Sequence, residues 1–261
     1  MLPISQMDAS AVTDIRYVLT DMDETLTRHG RLQAATYRAL EDLQSAGVKV
    51  IINTAAPAGW CDQMARMWPV DGVIGENGGL FFRRDTHGSV IREFWHDDPA
   101  ATEADLKSIA AEIMRLHPDL SFADDQPFRQ TSIVFNRNLG PVAQAEVADS
   151  LHRVGAKTAV NNLWLLAWIG QYDKLAMARR ILKAHFSFDI DTRRSELAYV
   201  GDSENDGPMF EFFEHTFGVS TVVEALDRLI APPRWITKGP GGAGFVEVAS
   251  AIIQASAASY I

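Results

Sequence analysis

Tyr17-Val18-Leu19-Thr20-Asp21-Met22-Asp23-Glu24-Thr25-Leu26-Thr27 decides how the rest of the chain is read. An apolar run of the kind that forms a buried strand stops at two aspartates spaced i, i+2, and hydroxyl residues follow. Open α/β sheets gather their ligands beyond the carboxyl ends of the strands, so a carboxylate pair there is placed for chemistry. Two carboxylates this close repel unless a cation or a shared proton relieves them. One is then suited to act as nucleophile or metal ligand and the other to move protons. Taken alone, the pair also fits a strand end followed by a solvated acidic turn.

The flanking sequence supplies the sheet that such a strand needs. Ile15–Thr20, Val48–Asn53 and Val73–Gly75 read as strands, and helices are predicted over Leu32–Ala46 and Ala58–Trp68. Gly47 stands where a left-handed residue would close the first helix. Continuous apolar strands separated by helices predict a parallel sheet covered on both faces. After Asn77-Gly78-Gly79 the pattern changes. Leu80–Phe82 and Val90–Trp95 read as a hairpin, Thr131–Asn136 as a strand, and Lys157–Val160 with Leu163–Trp168 as a second hairpin turning at Asn161-Asn162. Helices at Ala101–Leu116 and Pro141–Val154 lie between them. Alternation returns with a helix over Lys174–Phe186, a strand at Leu197–Val200, a short helix at Asn205–Phe212 and a strand at His215–Val219. A helix over Thr221–Leu229, a strand at Trp235–Thr237 and a last helix complete it. The fold class expected is α/β, a doubly wound, mostly parallel core formed by 1–82 and 170–261, with an inserted α+β cap at 83–169.

Composition bounds the function. The chain has 261 residues, 47% of them hydrophobic and 22% charged, as ordinary soluble domains do. A formal charge of -10 provides no basic excess to neutralise nucleic-acid or anionic-membrane phosphates. A small phosphorylated ligand stays open, because a local cation outweighs global charge. Cys61 is the only cysteine, so no internal disulfide forms, in keeping with a reducing compartment. Met1 to Asp14 lacks the basic and apolar regions of a secretory signal, and no apolar stretch is long enough to span a bilayer. A cytoplasmic protein, monomeric or a homodimer, is expected.

Three further pieces match the opening one. Leu197-Ala198-Tyr199-Val200-Gly201-Asp202-Ser203-Glu204-Asn205-Asp206 again ends a buried strand in acidic and amide groups. Asp21, Asp23, Asp202 and Asp206 would converge at one sheet edge, a cluster that needs a cation. Hard oxygen donors in that number favour Mg²⁺ held with waters and a substrate phosphate. The competing reading is a helix-capping turn, since Ser203 and Asn205 are good caps. Lys174 falls in the first turn of its helix, where a cation opposes the macrodipole and is either solvated or holding an anion. Thr54 emerges from the second strand with a hydroxyl able to donate to a phosphoryl oxygen.

Asp21-Met22-Asp23-Glu24-Thr25, Thr54, Lys174 and Gly201-Asp202-Ser203-Glu204-Asn205-Asp206 resemble the four ordered motifs of the haloacid dehalogenase (HAD) superfamily. The position and mixed α+β content of the cap resemble the type IIB group, which includes the Cof-type, sucrose-phosphate and trehalose-phosphate phosphatases and the eukaryotic-type phosphomannomutases. Ile74-Gly75-Glu76-Asn77-Gly78-Gly79 resembles the loop that leads into such caps. The resemblance implies that Asp21 attacks phosphorus and becomes an aspartyl phosphate, while Asp23 protonates the leaving oxygen and then activates water. It implies that Thr54 and Lys174 hold the non-bridging oxygens. Mg²⁺ would be held by Asp21, the Asp23 main-chain carbonyl, Asp202, and Asp206 directly or through water, with Ser203 and Asn205 either supporting these ligands from behind or orienting the phosphate. Two residues depart from the pattern. Glu24 replaces a glycine or other small or amide residue, and Ala55-Ala56 stands where Gly-Arg commonly follows the hydroxyl.

Other features have plainer readings. Gly239-Pro240-Gly241-Gly242-Ala243-Gly244 lacks the Lys-Ser/Thr of a phosphate loop and reads as a connection into the last helix. Trp60, Trp68, Trp164 and Trp168 read as packing residues. His87, Arg129 and Arg137 are cap polar residues that could read a substrate. The function expected is a Mg²⁺-dependent phosphatase acting on a small phosphorylated metabolite such as a sugar phosphate. The alternatives are a phosphomutase of the same superfamily and a catalytically weakened binding protein of the same fold. A receiver-type phospho-acceptor domain would be about half this length and would lack the second aspartate.

Overall fold

The computed structural model describes residues 1–160 and 164–258, so the turn expected at Asn161-Asn162 lies outside the described residues. The strands are β1 (Leu2–Pro3), β2 (Tyr17–Thr20), β3 (Thr27–Arg28), β4 (Arg31–Leu32), β5 (Lys49–Asn53), β6 (Gly72–Gly75), β7 (Leu80–Arg84), β8 (Val90–Phe94), β9 (Ile133–Asn136), β10 (Lys157–Val160), β11 (Trp164–Trp168), β12 (Leu197–Gly201), β13 (His215–Gly218) and β14 (Trp235–Ile236). The helices are α1 (Ala34–Ser45), α2 (Ala58–Met67), α3 (Pro99–Leu116), α4 (Pro141–Arg153), α5 (Lys174–Phe186), α6 (Gly207–Phe212) and α7 (Gly241–Ala258).

A nine-stranded sheet runs β1-β14-β13-β12-β2-β5-β6-β7-β8. It is parallel from β1 to β6, and β7 and β8 close the far edge in antiparallel register. Alternate residues of β2 serve its two faces, as the pleat requires. Val18 packs with Leu40, Cys61, Phe245 and Ile252 under α1, α2 and α7. Leu19 packs with Met177, Ile181 and Met209 under α5 and α6. Gly47 ends the α1 turn with φ +79°, the left-handed closure expected from the sequence.

The register positions the site. Thr20 of β2 lies opposite Val200 of β12 and Ile52 of β5. The three strands therefore end within one residue of the same level, β2 at Thr20, β12 at Gly201 and β5 at Asn53, and the residues that follow (Asp21, Asp202 and Thr54) leave the sheet at one edge.

A second, three-stranded antiparallel sheet runs β10-β11-β9. One face packs on α3 and α4 through Leu106, Ile113, Val147, Leu151, Phe135 and Leu165. The other carries Val134, Leu166 and Trp168 against Ala55 and Tyr172 of the main unit. Trp168 is a packing residue, as expected: its indole N–H donates to the Tyr172 carbonyl at 3.2 Å and its ring stacks on Tyr172.

Local differences from the sequence reading have physical causes. The 80–94 hairpin, expected at the entry to the cap, is hydrogen-bonded to β6, because Leu80, Phe81 and Phe82 are buried on both faces of the strand. A helix over 221–229 is replaced by 3₁₀ turns at Ser220–Glu224 and Leu226–Arg228, where Thr221, Val222 and Val223 are poor helix formers. The glycine run opens α7 by close packing. A Cβ on Gly242 would stand 2.1 Å from Thr36 Oγ1 and one on Gly241 2.5 Å from the Thr27 carbonyl. Among the described residues no helix is long and apolar enough to cross a membrane.

Candidate active site

Asp21, Asp23, Thr54, Asp202, Ser203 and Asn205 line one cavity of about 480 Å³, with Glu24, His29, Gly30 and Ala55 on its rim. Lys174 faces an adjoining cavity of about 390 Å³ that shares Asn205. A larger cavity of about 780 Å³ opens in the second unit among Leu106, Met114, Phe122 and Ile133. It is apolar and includes none of the expected site residues.

Lys174 is almost fully buried and donates to Asp21 Oδ1 at 3.0 Å and to Asp206 Oδ1 at 2.8 Å. Burial works against its charge, but Asp206 and Asp21 outweigh that effect and raise its pKa above the ordinary lysine value. The cation that the sequence allows to be either solvated or anion-bound is bound to two carboxylates. Asp206 also accepts from the Tyr199 hydroxyl at 2.5 Å and from the backbone N–H groups of Asp202 and Ser203 at 3.0 and 3.1 Å. Both its oxygens are taken. Asp206 therefore anchors the turn and Lys174.

Asp21, Asp202 and Asp206 present oxygens that all lie within 4.8 Å of one another. Burial first, then repulsion from Asp206 and Asp23, raises Asp21 to about 7 against the pull of Lys174. Burial and the charges of Asp21 and Asp206 push Asp202 well above the carboxylate range, although Thr25 Oγ1 donates to its Oδ1 at 3.0 Å. Asp23 is raised to about 6, by burial, with Lys174 opposing and Glu24 adding. Among the described residues nothing donates to the Asp23 carbonyl, to Asp21 Oδ2 or to Asp202 Oδ2. Crowded hard oxygens with unused lone pairs and raised pKa values fit a divalent cation.

Ser203 donates its hydroxyl to Asn205 Oδ1 at 2.6 Å, and its backbone N–H completes a capping box with Asp206. The capping and cavity-lining readings of this turn both hold. Glu24 has φ +57°, and its carboxylate accepts from Arg28 Nη1 at 2.9 Å and from the His29 N–H at 2.6 Å. Thr54 Oγ1 accepts from the Ala56 N–H at 3.1 Å. Of the three cap residues considered as substrate readers, His87 sits in the exposed turn after β7 and Arg137 bonds Gln144. Arg129 is buried and bonded to Asp125 and the Ala55 carbonyl. None of them lines the carboxylate cavity. Thr25, Tyr199 and Glu76 escaped the sequence reading as site residues. Each lay inside or beside a quoted motif, but only the fold shows what it touches.

The model of the haloacid dehalogenase-like hydrolases matches residues 18–114, the stretch that carries Asp21, Asp23 and Thr54. Over those residues the chain is similar to the haloacid dehalogenase-like hydrolases. The chain is 26% identical over 237 residues to a phosphoglycolate phosphatase of Methanoculleus marisnigri, covering 89% of the chain and 94% of that protein. Its fold is similar to that of a Thermoplasma acidophilum protein, with a TM-score of 0.72, 20% identity and coverage of 91% and 98% of the two chains. It is also similar to a HAD subclass IIB sugar phosphatase, with a TM-score of 0.63, 14% identity and coverage of 90% and 98%. The expectation of a phosphoric monoester hydrolase accords with the phosphatase relative, and the type IIB resemblance, read from the position and content of the cap, accords with the fold of that neighbour.

Proposed function

We propose that this protein is a Mg²⁺-dependent phosphatase that cleaves a small phosphorylated metabolite, a sugar phosphate or a phosphoglycolate-like acid, through an aspartyl phosphate on Asp21. The observation that carries the reading is the unequal treatment of the two carboxylates of Asp-x-Asp. Asp21 is buried and pinned by Lys174, whereas Asp23 stands half-buried in the cavity with no hydrogen-bond partner among the described residues.

Lys174 holds Asp21 through Oδ1, which limits how the carboxylate turns; its oxygens have lone pairs left for the cation and for attack on phosphorus. Burial raises the Asp23 carboxyl toward neutral pH, and its place in the cavity beside Asp21 suits it to protonate the leaving oxygen and then, as carboxylate, to take a proton from water. The Thr54 hydroxyl, whose oxygen already accepts from Ala56, has its hydrogen free for a non-bridging oxygen, where the bond strengthens as charge spreads. Asn205 also lines the cavity, with its Oδ1 held by Ser203 and its amide NH₂ left as a donor. Asp21, Asp202 and the Asp23 carbonyl would hold Mg²⁺, with Asp206 behind water; the ion supplies positive charge to the phosphoryl oxygens and relieves the carboxylate repulsion. A core of 1–82 and 170–261 with a cap at 83–169 belongs to the same proposal, with the hairpin up to Phe94 moved to the core because it pairs there.

The test is phosphate release from a panel of sugar phosphates, phosphoglycolate, nucleotides and p-nitrophenyl phosphate, with Mg²⁺ or EDTA. Release should require Mg²⁺ and vanish in Asp21→Asn. Release that survives either change would refute the assignment.

A further inference from the structure

The loop after Thr54 lacks an arginine of its own, having Ala55-Ala56, yet a guanidinium reaches it from elsewhere. Arg129, from the segment leading into β9, has no exposed side-chain surface. It makes a two-pronged bond to Asp125, Nε to Oδ1 at 3.0 Å and Nη2 to Oδ2 at 2.7 Å. Its remaining nitrogen, Nη1, donates to the Ala55 carbonyl at 2.9 Å and to Ser132 Oγ at 3.3 Å. The next residues are held by Glu76. Its buried carboxylate accepts from the N–H groups of Ala58, Gln130 and Thr131 and from the hydroxyls of Thr131 and Ser132 at 2.7 to 3.0 Å. All three carbonyls of the 54–56 loop are thereby engaged: Thr54 by the Asn77 N–H, Ala55 by Arg129, and Ala56 by the Glu76 N–H.

The middle bond differs from the others in what lies behind it. The Ala55 carbonyl and the Ala56 N–H belong to one peptide group, and that N–H donates to Thr54 Oγ1 at 3.1 Å. A chain therefore runs from the Arg129 guanidinium through one peptide to the hydroxyl of Thr54. Each bond polarises the next, and a hydroxyl whose oxygen accepts from Ala56 directs its hydrogen elsewhere. Thr54 lines the cavity beside Asp21. We propose that Arg129 is a positioning residue that, through the Ala55–Ala56 peptide, sets Thr54 as a hydrogen-bond donor to the phosphoryl group. This inference rests on the phosphatase reading above. The inserted unit, on this account, contributes to the core's own phosphate loop, and the arginine missing from the motif is supplied about seventy residues later.

The test is a double-mutant cycle between this chain and the hydroxyl. Replacing Arg129→Met together with Asp125→Leu removes the buried pair without stranding a charge. In the active protein this should lower kcat by about tenfold or more, as loss of a charge-assisted bond does, with KM changed less than about threefold. In a Thr54→Ala background the same replacement should change kcat by less than about twofold. Arg129→Lys, which keeps the charge but not the fork, should show the same dependence on Thr54, and it decides the matter if the double replacement fails to fold. Equal losses in both backgrounds would overturn the proposal alone, because a merely structural arginine acts regardless of Thr54. A wild type that releases phosphate from nothing would overturn the phosphatase reading, and this proposal with it.

Discussion

Glu24 shows how one residue carries two opposing demands. Its φ of +57° costs a side-chain-bearing residue about 1 to 2 kcal/mol, which accounts for small residues being usual there. Its carboxylate offsets this by holding Arg28 and the His29 N–H. Glu24→Ala keeps the backbone cost and loses both bonds, whereas Glu24→Gly loses the bonds but not the fit. The glycine variant should therefore be the more stable of the two by about 1 kcal/mol in denaturant unfolding, reversing the usual order. An alanine variant at least as stable would show that the loop is not under this constraint. Asp21, Thr54, Lys174 and Asp202 were legible as single residues because each lies at a strand end or a helix start, where local sequence fixes direction. Arg129, Tyr199 and Glu76 were not. Their partners lie across a turn or in another unit, and nothing about a buried arginine in a loop tells which carbonyl it will find.

At the level of elements, the site is made by register. β2, β12 and β5 end within one residue of the same level because Thr20 sits opposite Val200 and Ile52, and their apolar runs made them readable as buried strands of one sheet, though not as neighbours. The hairpin 80–94 was readable as a hairpin but not as part of the main sheet, since alternation within a hairpin does not name its neighbour. The glycine run was readable as a break but not as a packing device. There the contact is tight: Gly242→Ala would bring a methyl group to 2.1 Å from Thr36 Oγ1 and 2.7 Å from the Leu26 carbonyl. Overpacking of this kind should cost about 1 to 3 kcal/mol, seen as a lower urea midpoint at unchanged slope. Gly47→Ala, with open space around its Cβ, should lose only what its φ of +79° costs. An unchanged midpoint for Gly242→Ala would mean that α7 does not pack on α1 as closely as described.

For the whole molecule, the carboxylate cluster links metal, pH and stability. Burial raises Asp21 to about 7, and Asp202 lies well above the carboxylate range. A carboxyl with a raised pKa favours the folded state while protonated. That contribution is complete below its unfolded value of about 4 and is lost as pH rises through the folded value. Without metal this cluster should therefore weaken the fold progressively from about pH 4 upward, and Mg²⁺ should restore what is lost. The rise in melting temperature on replacing EDTA with Mg²⁺ should be larger at pH 7.5 than at pH 5, and should shrink in Asp202→Asn. A rise independent of pH would place the ion elsewhere. The central claim, that Asp21 carries the phosphoryl group and Asp23 its proton, is tested most directly by mass spectrometry of the Asp23→Asn variant quenched in acid during reaction with Mg²⁺ and the best substrate of the panel. The account predicts one phosphoryl group on the peptide containing Asp21, accumulating because its hydrolysis has lost its base, and none in Asp21→Asn. Wild-type turnover by Asp23→Asn, or a phosphoryl group on any other residue, would contradict it.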